Sequence, residues 1–557
     1  MSQPKITLTW DDQSLTTTPG QTLEQLCPAT DAGAPPVVAA MVNNLLRDLR
    51  YPVFCDSHIR WLSATTPLGS RIVQHSLALL LSAAVESLFP DRRLVIEHSL
   101  RNGRFCRLQA RENDRPLTTD DIIALEREMR RLAEADLPIT KNRVSKPDAI
   151  GFCRASGDIP KAAVLDKLPT DQVTLYSIGG HTRHLFSKTV PSTGYLRDFR
   201  LCPFEDGFIL VDMHNLSTML DGNSQLAYPR TLNATLNNYS NWINMQGVNY
   251  CSDLNHQVET GDFSSLVVMA EARQERAIQQ IGDRICQSFP TVRLVLIAGP
   301  SSSGKTSFCN RLAIELRNQG LRPITLSMDN YFRNNEDTPL LPDGQPDFEG
   351  VAAVDTELFN RHLRLMLAGE AVEMPVFDFK TGRRSERTIP VQLGEKHILL
   401  IEGIHGLNEA LTSEIPAANK LKIYISCMTA LNLDNLTPIS TSDNREIRRL
   451  VRDVRSRNIS AEKTLLSWQR VRAGEEANIF PYQDSADCYF NTSLIYEFSL
   501  LAPLITPYLQ SIPADSPAYA EARRLLRLTE CFIPADAKAV PTYSLLQEFL
   551  GGSIFEL

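Results

Sequence analysis

The sequence lacks the features that mark disulfide-bonded, fibrous or low-complexity chains. Its 11 cysteines are an odd, dispersed set from Cys27 to Cys531 with no Cys-x-x-Cys pair, which indicates reduced thiols in a reducing compartment. Glycine and proline number only 27 and 33 among 557 residues, so the chain is neither collagen-like nor broadly disordered. No internal repeat or low-complexity tract interrupts it.

Positive charge and long apolar runs are also scarce. The net charge is −8 and the pI about 5.8, so no global attraction to nucleic acid or an anionic membrane is expected, although a local basic patch stays open. The first residues turn polar within a few positions and lack the apolar core of a signal peptide. The apolar stretch Leu77–Val85 is short of a membrane span. We therefore expect a soluble, cytoplasmic protein with no membrane partner.

Changes in pattern along the chain predict three domains. Residues 1–64 alternate in short segments with turn residues, as in a small α+β domain, and residues 65–255 carry two amphipathic helices, Ser70–Phe89 and Thr119–Ala135, among strands and loops. Residues 256–557 make the third domain. A helical approach ends at residue 290, and from residue 291 the chain follows the order of strand, glycine-rich loop, helix, strand and helix that is typical of a parallel α/β sheet. The end of the chain, from Leu500 to Leu550, is predicted to be mostly helical. The predicted fold is therefore an α/β domain, a parallel sheet flanked by helices, preceded by two α+β domains.

The clearest motif follows Val292–Ala298, an almost wholly apolar run suited to a buried central strand. The next residues, GPSSSGKT, match the GxxxxGK[ST] pattern of a phosphate-binding loop, and Ser307–Arg317 then predicts a helix. Small residues let backbone N–H groups surround an anion, and the helix N-terminus adds its positive end. Lys305 can reach the outer phosphates of ATP or GTP, and the Thr306 hydroxyl can ligate Mg²⁺. A glycine- and serine-rich connecting loop is the alternative, which the flanking strand and helix disfavour. The residues predicted to bind the nucleotide are Gly299, Pro300, Ser301, Ser302, Ser303, Gly304, Lys305, Thr306 and Ser307.

Two acidic residues follow apolar runs that predict strands. Asp329 comes after Pro323–Met328, and Glu402 comes after His397–Ile401. Because the carboxyl ends of parallel strands share one edge of the sheet with the phosphate loop, we expect these acids to hold metal or accept a proton there. The alternative is that each is only a polar residue at a strand end.

A basic stretch in the last third of the chain carries six arginines in 13 residues, from Arg445 to Arg457. Four of them share one face of a predicted helix: Arg445, Arg448, Arg449 and Arg452. Composition alone favours a solvated helix whose arginines pair with its own acids. The alternative is a lid that closes over the phosphates and stabilises the charge of the transferring group.

Residues 292–500 resemble the uridine kinase and phosphoribulokinase branch of P-loop kinases. The strings that carry the resemblance keep the order and spacing of that branch: GPSSSGKTS, SMDNYF, PDFEG, MPVFDF, LLIEGIHGL and DNREIRRLVRDVRSR. The resemblance implies an alcohol-accepting phosphotransferase that uses ATP or GTP with Mg²⁺. The roles it implies are catalysis for Lys305, Asp329 and Arg452, a Mg²⁺ environment made by Thr306 and Glu402, and substrate binding by Asp329, Glu349, Phe377, Arg449 and Arg457.

Two positions depart from the uridine kinase pattern. Phe377 stands where those kinases carry tyrosine, and Gly382 stands where a histidine is expected. The loss of polar contacts to a base can cost orders of magnitude in discrimination between substrates. The motifs therefore support phosphoryl transfer more strongly than they support a pyrimidine nucleoside as the acceptor. A nucleoside such as uridine or cytidine is the leading acceptor, and another sugar-like metabolite is the first alternative.

The N-terminal half carries a second resemblance. Residues 1–64 resemble the TGS domain of threonyl-tRNA synthetases, and residues 65–215 resemble the adjoining second additional domain, which edits mischarged tRNA there. The strings that carry it are VVAAMVNNLLRDLRYPV, RIVQHSLALLLSAAVESLFP, LEREMRRLAEADLPI and TVPSTGYLRDFRL. Together the halves resemble a bacterial protein type in which a synthetase-like half precedes a uridine kinase-like half, and the closing SLLQEFLGGSIFEL is shared with that type.

The editing pattern HxxxH followed by CxxxH is largely lost. His75 remains, but the other three positions are Leu79, Leu185 and Thr189, so hydrolytic editing is not expected. Two further histidines, in HTRH at residues 181–184, lack an obvious third ligand and are interpreted as ordinary loop residues rather than a metal site.

A function of another class is a regulator that senses tRNA with the synthetase-like half and uses the phosphate loop as a nucleotide switch. The acidic balance and the lack of an aromatic and basic RNA platform argue against it, while Asp329, Glu349 and the arginines favour turnover. The expected partner is a small-molecule acceptor. Nucleic acid is a weakly supported partner, and a homo-oligomer stays open.

The missing polar groups generate a first prediction about the synthetase-like half. With Leu79, Leu185 and Thr189 in place, it has neither the bases nor the ligands for ester hydrolysis, so the protein should not deacylate Ser-tRNA or bind stoichiometric zinc. A deacylation assay and metal analysis measure both. Robust hydrolysis that depends on His75 would contradict the prediction.

Overall fold

The computed structural model of this chain describes residues 5–28, 33–100, 103–109, 115–214, 230–341, 344–378 and 381–555. The strands of these residues are β1 (Ile6–Trp10), β2 (Gln13–Thr17), β3 (Val37–Val42), β4 (Leu45–Asp48), β5 (Ser57–Ser63), β6 (Arg93–Leu100), β7 (Gly103–Gln109), β8 (Thr140–Ser145), β9 (Gln172–Ile178), β10 (His181–His184), β11 (Phe199–Phe204), β12 (Gly207–Asp212), β13 (Leu294–Ala298), β14 (Arg322–Ser327), β15 (Val372–Asp378), β16 (Arg383–Val391), β17 (His397–Gly403), β18 (Lys420–Ser426), β19 (Asn432–Asp434), β20 (Thr437–Pro438) and β21 (Cys488–Asn491).

The α-helices of the same residues alternate with these strands. They are α1 (Leu23–Leu26), α2 (Pro67–Leu88), α3 (Thr119–Glu134), α4 (Lys146–Ala155), α5 (Ile159–Lys167), α6 (Arg230–Gln246), α7 (Cys251–Thr260), α8 (Phe263–Ser288), α9 (Lys305–Asn318), α10 (Thr356–Leu367), α11 (Thr441–Ser456), α12 (Ala461–Asn478), α13 (Glu497–Ser511), α14 (Tyr519–Thr529) and α15 (Gln547–Leu550).

The N-terminal region is mixed α+β, as predicted. Its first sheet has the order β2-β1-β5-β3-β4, in which β1 and β2 form an antiparallel hairpin and β1 runs parallel to β5. Alternation explains the hairpin, because Ile6 and Leu8 are buried while the residues between them face solvent. Two further antiparallel sheets follow, β10-β9-β8 and β11-β12-β7-β6.

Helix α2 is longer than its most apolar stretch indicates. Thr66 caps it and Pro67 occupies its first turn, so the helix has 22 residues. By length and composition alone it is long enough to cross a membrane, yet 67% of its most apolar window is buried inside the fold. Residues such as Leu77, Leu80 and Ala84 pack into the core of the N-terminal half, which is the environment of a core helix.

The C-terminal region is built on a five-stranded sheet of order β14-β17-β13-β18-β21, with every pairing parallel. Strand β13 is buried along its whole length, as its continuous apolar run predicts. Ala298 pairs with Gly403, and Ser327 pairs with Glu402. The carboxyl ends of β13, β14 and β17 therefore meet at one edge, and the α/β prediction is confirmed.

The two halves share a hydrophobic core. One apolar cluster joins residues of α4, α5 and β9 with residues of α6 to α8, α11, α13 and α14. At this junction Lys161 Nζ lies 2.5 Å from Asp434 Oδ2, and both side chains are at most 2% exposed. Side chains before and after residue 255 thus pack in one core. The domain limits at residues 64 and 255 stay predictions.

The end of the chain is less helical than expected. Helices α13 and α14 occupy much of the segment predicted from Leu500 to Leu550, but residues 530–546 hold only a short 3₁₀ turn, Ala537–Ala539. Prolines at 534 and 541 lack the N–H donor that a continuing helix needs. The segment is nevertheless anchored, since Phe532 and Val540 are buried.

Candidate active site

The phosphate loop takes its shape from positions where only small residues fit. At Gly299 an added Cβ would lie 2.2 Å from the Ile425 carbonyl oxygen, so no larger residue fits where the loop leaves β13. Ser302 and Gly304 have φ angles of +59° and +84°, which turn the backbone back on itself. Helix α9 begins directly afterwards, at Lys305, two residues before the predicted start. The resulting concavity at a helix N-terminus fits a phosphate group.

Lys305 lies over this loop. Its Nζ atom donates hydrogen bonds to the carbonyl oxygens of Gly299, at 3.0 Å, and Pro300, at 3.2 Å. Burial lowers the pKa of Lys305, and the charges of Glu402 and Asp329 oppose that shift. The ammonium group is therefore held between the loop and the two predicted acids.

Asp329 and Glu402 come together at the edge of the sheet. Burial raises the pKa of both carboxyl groups, that of Glu402 to about 7, where the nearby charge of Asp329 adds to the effect. Lys305 opposes both shifts. One lysine cannot neutralise two buried carboxylates, so the site favours a further cation. Carboxylate oxygens are the ligands that Mg²⁺ prefers. With the Thr306 hydroxyl in the first turn of α9, the residues present fit a magnesium site.

Glu349 also reaches this edge. It packs against α12 at Gly474, where an added Cβ would lie 2.3 Å from the Glu349 Cβ. Burial and the charge of Glu475 raise the pKa of Glu349 to about 7, and Arg449 and Lys305 oppose the shift. The structure thus brings Glu349 into the same electrostatic environment as Lys305.

The interpretation of α11 as a solvated basic helix is wrong. Arg445 and Arg448 are each 1% exposed, because each has a buried carboxylate partner from another helix. Arg445 pairs with Glu475, and the Nε atom of Arg448 donates to Glu497 Oε2 at 2.6 Å. Two arginines of the predicted face are therefore internal supports.

These two supports act on the phosphate loop. Arg445 Nε donates to the Ser301 carbonyl oxygen at 2.9 Å. Arg448 Nη2 donates to the Thr492 carbonyl oxygen at 2.9 Å, and the Thr492 hydroxyl donates to the Ser303 carbonyl oxygen at 2.6 Å. Helix α11 thus holds two carbonyl groups of the loop by hydrogen bonds, one directly and one through Thr492.

Arg449 and Arg452 of α11, and Arg457 directly after it, gather around one carboxylate beside the loop. Arg449 Nη1 donates to the Ser301 hydroxyl at 2.9 Å, and Arg449 and Arg452 share Asp453 at 3.4 Å and 3.5 Å. Arg457, with 53% of its side chain exposed, lies 3.8 Å from the same carboxylate. Burial lowers the pKa of both Arg449 and Arg452. One carboxylate among three guanidinium groups leaves positive charge suited to an anion.

The two departures from the uridine kinase pattern lie in defined local environments. Gly382 has a φ of +67°, which strains any larger residue, and an added Cβ would lie 2.0 Å from Asn335 Nδ2, so a histidine there would require the Asn335 side chain to move. Phe377 is 6% exposed and packs against Phe332 with ring centroids 5.7 Å apart. The backbone N–H of Phe377 donates to the Asn330 side chain, which holds the strand beside the turn that carries Asp329.

Sequence reasoning missed three groups at this site. Glu475 accepts a hydrogen bond from the Ser301 N–H at 3.2 Å, and the buried His405 has a pKa lowered to about 4 by burial. Glu548, in the closing segment, accepts a hydrogen bond from the Ser307 hydroxyl at 2.8 Å. The shared closing string was a signal for Glu548, but nothing local in the sequence ties it to the loop.

The four positions that correspond to the editing pattern lie apart from the phosphate loop. Leu79 and Leu185 belong to the apolar core of the N-terminal half, and Thr189 is buried. His75 Nδ1 lies 2.7 Å from the Arg71 carbonyl oxygen. The histidines at 181 and 184 lie on strand β10 rather than in a loop. Within the described residues, no three His, Cys, Asp or Glu side chains group as metal ligands.

A phosphate loop between a central parallel strand and a helix defines a P-loop α/β domain. Residues 294–494 match the model of the Phosphoribulokinase / Uridine kinase family. The C-terminal region is therefore a domain of that family.

The N-terminal region matches threonine–tRNA ligases. The chain is 31% identical over 179 residues to the ligase of Janthinobacterium sp. (strain Marseille), a match that covers 32% of this chain and 28% of the ligase. It is 33% identical over 157 residues to the ligase of Leptothrix cholodnii, which covers 28% of this chain and 24% of the ligase. The chain thus spans about a quarter of the length of these curated relatives.

Solved structures of kinases also align with the chain. One described as a possible uridine kinase from Bacillus stearothermophilus is 20% identical with a TM-score of 0.27, covering 40% of this chain and 100% of the other. D-glycerate 3-kinase from Cryptococcus neoformans is 17% identical with a TM-score of 0.22, covering 47% of this chain and 87% of the other.

The buried pairs of α11 generate a prediction that separates support from catalysis. Arg448→Met leaves Glu497, which is 0% exposed, without its cation, so the free energy of unfolding should fall by about 3–5 kcal/mol. Arg457→Ala removes a half-exposed arginine that directly follows the same helix and should cost less than about 1 kcal/mol. Urea unfolding of both variants measures the difference, and equal stabilities would show that Arg448 does not support the fold.

Proposed function

We propose that the C-terminal region transfers the γ-phosphoryl group of ATP or GTP to a hydroxyl group of a small molecule. The observation that carries the proposal is the meeting of Lys305, Asp329 and Glu402 at the edge where the phosphate loop leaves the sheet. Phosphoryl transfer needs positioning and charge stabilisation more than covalent chemistry. These groups supply both.

Each residue has a distinct task in this transfer. Lys305 binds the outer phosphates, and Arg449 and Arg452 offer positive charge beside the loop. The raised pKa of Asp329 suits a carboxylate that accepts the proton of the attacking hydroxyl. Thr306 and Glu402 would hold Mg²⁺, which when bound neutralises charge on the phosphate oxygens.

The acceptor is proposed to be a nucleoside of the uridine or cytidine type. Glu349, which lies near Arg449 and Lys305, would accept hydrogen bonds from the sugar hydroxyls. A second candidate, a different sugar-like metabolite, is favoured by the buried Phe377 and by the crowding at Gly382. A substrate screen coupled to ADP release separates the two.

Removal of the loop lysine tests the reaction class. Lys305→Ala deletes the charge that follows the β- and γ-phosphates into the transition state, so turnover should be abolished while the thermal melt is retained. The exposed Lys396 of the same domain gives the matched control, because Lys396→Ala should leave turnover unchanged. Near-normal turnover in a folded Lys305→Ala protein would refute the kinase proposal.

Two acids are predicted to differ in their kinetic effect. Asp329→Asn should lower kcat by about 10²–10⁴-fold with little loss of ATP affinity, because it removes a proton acceptor. Glu349→Gln should mainly raise the KM for the acceptor. Since burial raises the pKa of Glu349 to about 7, the acceptor KM of the wild-type protein should rise as the pH falls through about 7, and the Gln variant should lack that dependence.

Two results would contradict the roles proposed for Asp329 and Glu349. Loss of ATP affinity alone in both variants would show that the two roles are assigned wrongly. Unchanged kinetics in both would show that the acceptor binds elsewhere.

A further inference from the structure

A cavity lies at the junction of the two halves, and the phosphate loop contributes none of its lining. Its volume is about 350 Å³. Helix α2 lines it with Arg71 and His75, strand β7 adds Arg104, and the start of α11 and the face of α14 close it with Asp443 and Arg524. A cavity of this size accommodates a small organic molecule.

The lining of this junction cavity is strongly cationic. Seven of its side chains are arginine or lysine, and its carboxylate is Asp443. Two of the cations are already paired, because Arg71 donates to Glu521 at 2.9 Å and Arg524 donates to Asp443 and Glu521 at 2.8 Å. The remaining excess of positive charge favours an anion over a neutral ligand.

Arg104 provides an independent indication of an anionic ligand. It is 8% exposed, and its Nε and Nη1 atoms have no hydrogen-bond partner among the described residues. The third nitrogen, Nη2, donates to Gln74 Oε1 at 3.2 Å. A buried guanidinium group with unused donors is costly unless an acceptor completes it. A phosphate group accepts from such a fork of donors in two places at once.

The rest of the lining is apolar or neutral. Leu45, Leu68, Ile72 and Phe186 form part of the wall. His75 is uncharged near neutral pH, because burial and the charge of Arg104 lower its pKa to about 3. The ligand that matches this cavity therefore joins an anionic group to an apolar body.

The junction cavity is connected to the phosphate loop by one helix. Ser440, which lines the cavity, caps α11 by accepting a hydrogen bond from the Asp443 N–H at 3.0 Å. The next turns of α11 carry Arg445 and Arg449, which donate to the carbonyl and the hydroxyl of Ser301. A ligand that competes for Arg524 would disturb the Asp443 pair at the start of the same helix. Two sites that bias one element are energetically coupled.

We propose that the junction cavity binds a small phosphate monoester with an apolar body, and that its occupation changes turnover at the phosphate loop through α11. The second half of this inference rests on the proposed kinase function, whereas the first half does not.

Binding is tested on the full chain with phenyl phosphate as the probe, by isothermal titration and thermal shift. Arg104→Met should lower the affinity on the order of tenfold or more, because it removes the buried partner of the anion. Arg527→Gln, at an exposed cavity residue, should also weaken binding and does not endanger the fold. Arg276→Gln, at an exposed arginine outside the lining, is the matched control and should bind normally.

The remaining arms identify the ligand chemistry and the site. Lys305→Ala should bind phenyl phosphate as the wild-type protein does, since the phosphate loop is a separate site. Benzoate should bind more weakly than phenyl phosphate, and inorganic phosphate should bind more weakly than either. Unchanged affinity in both Arg104→Met and Arg527→Gln would overturn the proposed site, and tighter binding of benzoate than phenyl phosphate would overturn the phosphate assignment.

Turnover tests the coupling separately. Phenyl phosphate should shift kcat or the nucleotide KM of the wild-type protein, and the shift should disappear in Arg104→Met. Binding without any effect on turnover would overturn the coupling while the site stands. If no acceptor supports turnover at all, the kinase proposal fails, and the titrations still decide whether the cavity binds the anion.

Discussion

The candidate site depends on the burial of two arginines in helix α11. Arg445 and Arg448 are almost inaccessible to solvent and pair with Glu475 and Glu497. A buried ion pair contributes little net stability, but the loss of one partner is costly. These pairs therefore constrain geometry more than they add stability. They fix one helix against the carbonyl groups of the phosphate loop, so the loop keeps its anion-binding curl.

The sequence predicted the parts of this site that depend on local order along the chain. The apolar strand, the loop and the helix of the phosphate site are contiguous, and the positions of Asp329 and Glu402 follow from the rule that parallel strands end at one edge. The burial of α11 could not be predicted in that way. Its arginines are neutralised by acids 30 and 49 residues away, which local pattern cannot pair, so composition favoured a solvated helix.

The N-terminal half matches threonine–tRNA ligases but lacks three of the four polar residues of the editing pattern. Leu79 and Leu185, at two positions of that pattern, belong to the apolar core, while His75 lines the junction cavity together with the buried Arg104. Loss of polar groups explains why hydrolysis is not expected, yet it does not explain a buried guanidinium group with unused donors. The cavity lined by Arg104 is therefore better understood as a binding site for an anion than as a hydrolytic centre.

The packing of the halves makes a separable kinase domain physically implausible. The core that surrounds α11 includes residues from α4, α5 and α7, and the Lys161–Asp434 pair is sealed within it. At the other end of the same helix, Arg455 donates to the carbonyl oxygens of Phe549 and Leu550 in the closing segment, whose Glu548 contacts Ser307. Helix α11 is thus held by the synthetase-like half, the phosphate loop and the closing segment together. Because Arg445 and Arg455 tie the same helix to the loop and to the closing segment, we expect a displacement of α11 at one contact to alter the position of the loop.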